Sequence, residues 1–355
     1  MRRVLAAPII AWLLLSTLPT PAAVSTEDAA VQAKSFAGPG LNAVQTANHD
    51  WTDDVRQRDV PVKIYYPKTG EGPLPVILFS HGLGGSREGY EYLGRHWAGH
   101  GYVSVHLQHK GSDTDVWKGK SNPLQALRQA AMNPTNSINR PADVKFAVGR
   151  LEKLNGEAGP LRGRLDLSRV GAAGHSFGAF TTLAVAGEVF ALPLGKEISV
   201  VDPRIKAAIP MSAPVPHRKD QLDKAFGSIK IPCLHMTGTK DDSPIGETRK
   251  EDRRLPFDHA KGPDQYLIIF EGGDHMIFSG HNRRFGDGRK DPRFHELIRA
   301  ASTAFWDAYL KGDAKAKAWL AEGGFKGLMD GDGTLEKKRD VAQPVEEGHS
   351  NSGIK

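Results

Sequence analysis

A single cysteine, Cys233, stands in a chain of 355 residues, so no internal disulfide can form and stability has to come from a packed core. Its neighbours Ile231, Pro232 and Leu234 make it part of an apolar strand, where a thiol serves as a small buried hydrophobe. After the first two dozen residues no apolar run is long enough to cross a bilayer, which excludes stable membrane insertion by a later helix. Blocks of like charge are also missing. The formal net charge is only +6, and the densest basic clusters, Arg283-Arg284 and Lys337-Lys338-Arg339, read as solvated surface and not as a nucleic-acid face. The glycine-rich loop His81-Gly82-Leu83-Gly84-Gly85 does not run into the Gly-Lys-Ser/Thr that a phosphate cradle needs, so no nucleotide is expected. The run Asp330-Gly331-Asp332-Gly333 with Glu336 lacks the first ligand position and the spacing of a calcium loop and reads as a turn-rich segment.

What is present begins with Met1-Arg2-Arg3, an apolar stretch to Leu15, and then Pro19-Thr20-Pro21-Ala22-Ala23. Positive, apolar and small-residue zones in that order are those of a cleavable secretory signal. The expectation is a secreted or periplasmic protein, cut near Ala23. Residues 24–50, rich in Ala, Ser, Thr and Gly, read as a lead-in linker. Residues 51–325 read as one large domain, for which an apolar fraction of 39% is ample. Residues 326–355 read as a disordered tail.

Inside the domain, apolar runs alternate with helical patterns. Val60–Pro67 alternates as an outer strand should, whereas Leu74–Ser80 is apolar on both parities, as a strand covered on both faces must be. Tyr102–Leu107, Arg169–Ala173, Arg204–Met211, Ile231–Gly238 and finally Gln265–Phe270 complete the strands. Helices are expected around Tyr90–Ala98, Ala142–Leu154 and Phe294–Leu310, with a short one at Ala316–Leu320. The long polar connection 109–140 is expected to line or cover a site. This alternation predicts an α/β fold with a mostly parallel central sheet and helices on both faces. Reactive groups then belong at the carboxyl ends of strands.

Four such ends carry chemistry, one of them the glycine loop His81–Gly85 after the Leu74–Ser80 strand. Gly174-His175-Ser176-Phe177-Gly178 lies between a strand and a helix opening, and a serine on so sharp a turn has its hydroxyl lifted clear of the sheet. Gly238-Thr239-Lys240-Asp241-Asp242 and Gly272-Gly273-Asp274-His275 follow the next-to-last and last expected strands. A serine hydroxyl needs a base to take its proton, and the base needs a carboxylate to fix its tautomer. Ser176, His275 and Asp241 are the candidates in those roles, with Asp242 the rival acid. An oxyanion needs preorganised backbone donors, which are assigned to the N–H groups of Phe177 and Leu83. His81 is expected to brace the glycine loop, and His175 and His235 to pack beside or within the sheet. Met211, with Ser212-Ala213-Pro214, is expected to form a substrate wall together with Leu83 and Phe177.

The order Ser, Asp, His along the chain is that of the α/β-hydrolase fold. The motifs Ser80-His81-Gly82-Leu83-Gly84-Gly85, Gly174–Ala179, Gly238–Asp242 and Gly273-Asp274-His275, with the closing Phe305-Trp306-Asp307-Ala308-Tyr309-Leu310, resemble bacterial α/β-hydrolases related to dienelactone hydrolase and platelet-activating-factor acetylhydrolase. The resemblance covers roughly residues 55–320. The chain departs from true dienelactone hydrolases, which use a cysteine where Ser176 stands, and from cutinases, which it resembles in elbow and export signal but whose disulfide it lacks. The expectation is a serine carboxylic-ester hydrolase working through an acyl-enzyme on a small-molecule or lipid-like ester of short to medium acyl length, with no metal or organic cofactor. Polyester hydrolysis, lipid acetyl-ester hydrolysis, peptidase or acyltransferase chemistry, and non-catalytic binding on the same scaffold are the alternatives.

Overall fold

The computed structural model describes residues 26–70, 72–191, 196–216, 218–280 and 288–338. The expected signal segment and the chain beyond residue 338 lie outside them. In chain order the elements are α1 (Thr26–Ala37), β1 (Val44–Asp53), β2 (Arg58–Pro67), β3 (Leu74–Ser80), α2 (Glu91–Gly99), β4 (Val103–Leu107), α3 (Pro123–Met132), α4 (Pro134–Gly156), β5 (Leu165–His175) and α5 (Phe177–Ala186). A small hairpin, β6 (Val189–Ala191) and β7 (Glu197–Ser199), follows, then β8 (Ile205–Met211), α6 (Leu222–Phe226), β9 (Cys233–Lys240), α7 (Leu255–His259), β10 (Gln265–Asp274), α8 (Asp291–Leu310), α9 (Ala314–Ala321), α10 (Gly324–Met329) and β11 (Gly333–Lys337).

Nine strands form one sheet in the order β1-β2-β4-β3-β5-β8-β9-β10-β11. The interior pairs from β4 to β10 are parallel, while β1–β2, β2–β4 and β10–β11 are antiparallel. This is the mostly parallel, helix-flanked sheet of an α/β-hydrolase fold. The two-sided burial of β3 explains its unbroken apolar run. Ile77 and Phe79 pack into one core with Trp97 of α2 and Trp306 of α8, and Val76 and Leu78 into the other with Val144, Val148 and Leu151 of α4. A third cluster joins Leu183 of α5, Phe226 of α6 and Cys233. Cys233 is fully buried, and burial pushes its thiol pKa up to about 12, which suits an inert packing role.

Three segments differ from the sequence reading. Residues 24–50 contain a docked helix and most of a strand. Phe36 of α1 lies 4.8 Å from the Trp319 ring, and Trp319 Nε1 donates to the Ala29 carbonyl at 3.0 Å. β1 pairs along ten residues with β2, so Val60–Pro67 is the second strand and not the outermost. Near the other end, α10 and β11 extend the ordered fold into the stretch read as tail, and β11 pairs Gly333–Lys337 with Phe270–Tyr266. These elements bury few apolar side chains each, which is why their periodicity was faint.

Candidate active site

β5 runs through the middle of the sheet and ends at Ser176, whose φ of 57° and ψ of −118° hold a non-glycine residue in a sparsely populated conformation. The turn is forced by its neighbours. A Cβ on Gly174 would collide with the backbone of Gly178, and one on Gly178 with the carbonyl of Ser80. The Ser176 N–H donates to the Met211 carbonyl at 2.9 Å, which pins the turn to β8.

Loops at the ends of β9 and β10 bring the partners in. Ser176 Oγ lies 3.0 Å from His275 Nε2, and His275 Nδ1 lies 2.7 Å from Asp241 Oδ1. A carboxylate only accepts, so Nδ1 carries the proton and Nε2 is the free acceptor facing Ser176. The other oxygen of Asp241 accepts from Ser212 Oγ at 2.5 Å and Thr237 Oγ1 at 2.7 Å. Burial alone would raise the Asp241 pKa. The hydrogen bond and charge of His275, with Arg253 and Ser212 beside it, hold it below the ordinary carboxylate value. Asp242, the rival, is exposed, and its Oδ1 accepts from the Lys250 N–H at 3.1 Å, away from His275.

Arg253 carried no sequence signal, since it sits in a polar 3-10 turn without periodicity. It is buried, donates to the carbonyls of Asp241, Ser212 and Ala213, and so ties the β8 and β9 loops together behind the acid. His175 Nδ1 is hydrogen-bonded to Tyr90 OH at 2.8 Å, and its ring lies 4.7 Å from the His275 ring. Burial, then the neighbouring His275, hold its pKa well below the usual imidazole value. His235 is buried in β9 against Gln265.

The glycine loop lies directly over the elbow. His81 Nε2 accepts from the His109 N–H at 3.0 Å, which leaves Nδ1–H to donate to the Gly82 carbonyl at 2.6 Å. Farther along the loop, Gly84 N–H donates to the Ser112 carbonyl and Trp117 Nε1 to the Gly84 carbonyl, each at 2.8 Å. Phe177 opens α5, where the first N–H groups have no intrahelical acceptor. Among the described residues neither the Leu83 nor the Phe177 N–H is engaged in a hydrogen bond. Both residues line a cleft of about 1220 Å³ that reaches Ser176 and His275.

Apolar groups dominate that cleft. Phe180 and Phe190 stand on one side, with ring centroids 5.2 Å apart, and Pro214 and Val215 on another. Trp117 and Met132, from the 109–140 connection, contribute to its lining. Met211 is a correction. Its side chain is fully buried in the core with Ile209 and Met236 and is absent from the cleft, because Ser212, at φ 52°, turns the chain after the strand end. The wall starts at Pro214.

A strained serine on a strand-to-helix elbow, a histidine and aspartate on later strand ends and a glycine loop above them are the arrangement of an α/β-hydrolase site. The chain matches the family model described as platelet-activating factor acetylhydrolase, isoform II, over residues 55–123. It is 29% identical over 309 residues to the platelet-activating factor acetylhydrolase of Cavia porcellus, covering 77% of this chain and 64% of that protein. The protein of the same name from Bos taurus is 25% identical over 242 residues, 59% of this chain and 49% of its own length. The chain thus spans about half to two thirds of these relatives. Together the matches support a platelet-activating-factor-acetylhydrolase-like hydrolase group. No helix among the described residues is long and apolar enough to cross a membrane.

Proposed function

We propose that this chain is an exported serine carboxylic-ester hydrolase that cleaves short to medium acyl esters, with acetyl esters of lipid-like alcohols as the preferred class. The observation that carries the reading is the directed relay from Ser176 Oγ through His275 to Asp241, open at its serine end to an apolar cleft. The names of the similar proteins support the acetyl and lipid parts of it.

In the proposed reaction Ser176 Oγ attacks the ester carbonyl carbon as its proton passes to His275 Nε2. The C=O pair moves onto oxygen, and the N–H groups of Leu83 and Phe177 receive the resulting oxyanion. Asp241 stabilises the imidazolium without taking its proton. The tetrahedral intermediate collapses, the alkoxy leaving group takes the proton from His275, and an acyl-Ser176 ester remains. Water then attacks that ester by the same route, releasing the acid and restoring Ser176. These steps need no metal or organic cofactor.

The test is hydrolysis of p-nitrophenyl esters of increasing acyl length by the mature protein and by Ser176→Ala. Turnover that is highest for acetyl to butyryl esters and lost in the variant is expected. Equal activity in Ser176→Ala would remove the nucleophile assignment, and activity rising steadily with chain length would replace acetyl specificity with a long-chain lipid or polyester one.

A further inference from the structure

The proposed reaction uses no residue of α4, yet the side chain of Arg140, in the second turn of that helix, lies behind both halves of the oxyanion pocket. Arg140 is 0% exposed. Its Nη2 donates to the His81 carbonyl, its Nη1 to Ser112 Oγ at 2.9 Å and its Nε to Thr181 Oγ1 at 2.8 Å. Its guanidinium also lies 4.6 Å from the centroid of the Phe177 ring. One planar fork therefore grips the loop that carries Leu83 and the residue that carries the other donor. A guanidinium presents its donors in a fixed geometry, so it transmits position where a flexible ammonium would not.

The charge is equally informative. All three hydrogen-bond partners of Arg140 are neutral. Asp143, one turn further along α4, is engaged by Arg56, Arg58 and His109. Asp113, the other acid acting on Arg140 through space, accepts from Gln108. A buried cation without a hydrogen-bonded counter-ion, in a medium of low effective dielectric, favours negative charge that develops nearby. The charge that develops nearby is that on the oxygen of the tetrahedral intermediate, facing the Leu83 and Phe177 N–H groups.

We propose that Arg140 is a positioning residue for the oxyanion pocket, joining the glycine loop to the elbow and biasing the pocket, through its fixed charge, toward the anionic tetrahedral state. The proposal rests on the ester-hydrolase reading. It predicts a defect confined to the transition state, because the ground-state ester brings no negative charge to the pocket.

The experiment compares wild type, Arg140→Met, Arg140→Lys, Thr181→Val and Thr181→Ser in the mature protein. Readouts are kcat and KM on p-nitrophenyl acetate, and the Ki of an aryl trifluoromethyl ketone, which forms a reversible anionic adduct on a serine. Arg140→Met should lower kcat by about 30-fold, less than the loss of a direct donor, with KM moving by less than about threefold and Ki rising in parallel with the kcat loss. Arg140→Lys, which keeps the charge, should recover at least about fivefold of it. Should Arg140→Met not fold, Thr181→Val, which frees Nε and also removes the Thr181 Oγ1 bond to the Phe177 carbonyl at 3.0 Å, should still lower kcat and weaken the ketone by a common factor of about three, and Thr181→Ser, which keeps both bonds, should restore wild-type values. Unchanged kcat and Ki, a kcat loss without a Ki change, or no recovery in Arg140→Lys would overturn the proposal. A wild type with neither turnover nor fluorophosphonate labelling would overturn the ester-hydrolase reading and this one with it, whereas an active wild type with silent variants would overturn this one alone.

Discussion

Two serine–histidine–aspartate arrays stand side by side in this molecule. In the first, Ser176 Oγ, His275 Nε2 and Nδ1 and Asp241 Oδ1 are linked at 3.0 and 2.7 Å. In the second, Ser80 Oγ lies 3.0 Å from His109 Nε2, and His109 Nδ1 lies 3.0 Å from Asp143 Oδ2. The tautomers agree as well, since each aspartate requires the proton on Nδ1. What separates the arrays is their surroundings. Ser176 faces the cleft, whereas Ser80, His109 and Asp143 are 2%, 0% and 0% exposed. Ser176 sits on a strained turn at the start of a helix, whereas Ser80 ends an ordinary strand. Besides its histidine, Asp241 is held by two hydroxyls and Arg253, and Asp143 by two arginines. Three side chains at relay distances are therefore not sufficient to define a catalytic site. Access, strain and free backbone donors distinguish the array proposed to turn over from the one that fastens Ser80 and His81 beneath the glycine loop.

The largest difference between the arrays is expected at their serines. Ser176→Ala is expected to lower kcat by about 10⁶-fold, and Ser80→Ala by less than about tenfold, measured on p-nitrophenyl acetate. A large loss from Ser80→Ala with the fold intact would make the sealed array part of the chemistry.

The aspartates should divide in activity. Asp241→Asn, with the tautomer of His275 disturbed, should lower kcat by about 10⁴-fold. Asp143→Asn removes the carboxylate shared by the partly buried Arg56 and Arg58 and should cost about 2 kcal/mol in urea unfolding, with kcat per folded molecule largely kept. Equal effects of the two substitutions on kcat would erase the distinction.

Acid sharpens the same contrast. Burial works against ionisation of Asp143, but the hydrogen bonds from His109 and Arg58 prevail and bring its pKa down to about 2, below the ordinary carboxylate value. A depressed carboxylate stabilises the fold fully above its unfolded value and loses that contribution as pH falls through its folded one. Asp143 should thus contribute about 2 kcal/mol above pH ~4 that disappears toward pH ~2. Chemical denaturation of wild type and Asp143→Asn should show the two stabilities converging over that interval, and a constant gap would contradict the assignment. The smallest effect is expected at Met211, which adjoins the elbow but packs in the core. Met211→Leu should change stability by less than about 1.5 kcal/mol and leave the preference for acyl length unaltered; a changed preference would return Met211 to the cleft wall.

How far the sequence could be read follows from which signals are local. The elbow was legible because its glycines, serine and flanking runs lie within a dozen residues, and the sheet because residues 75–79 of β3, 170–173 of β5 and 207–211 of β8 are buried on both faces and so apolar. Asp241 and His275 stood out because each follows a strand at its carboxyl end. The sealed array was not legible. Ser80, His109 and Asp143 come from a strand end, a loop and a long helix, and no spacing marks them as neighbours. Arg140 was hidden for the same reason, in a helix whose outer face is polar. The wall position of Met211 failed because a strand buried on both sides gives no parity to read, and α1 and β1 were missed because each buries little: Ala33 and Phe36 in one, chiefly Trp51 in the other.

Of the two similar arrays, the one at Ser176 is proposed to carry the reactive serine. The measurement that tests this most directly is mass-spectrometric mapping of the purified protein after treatment with a fluorophosphonate. One adduct on the peptide that contains Ser176, absent from the Ser176→Ala variant and unaffected in Ser80→Ala, is the predicted result. An adduct on the peptide that contains Ser80, or labelling that persists in Ser176→Ala, would contradict it.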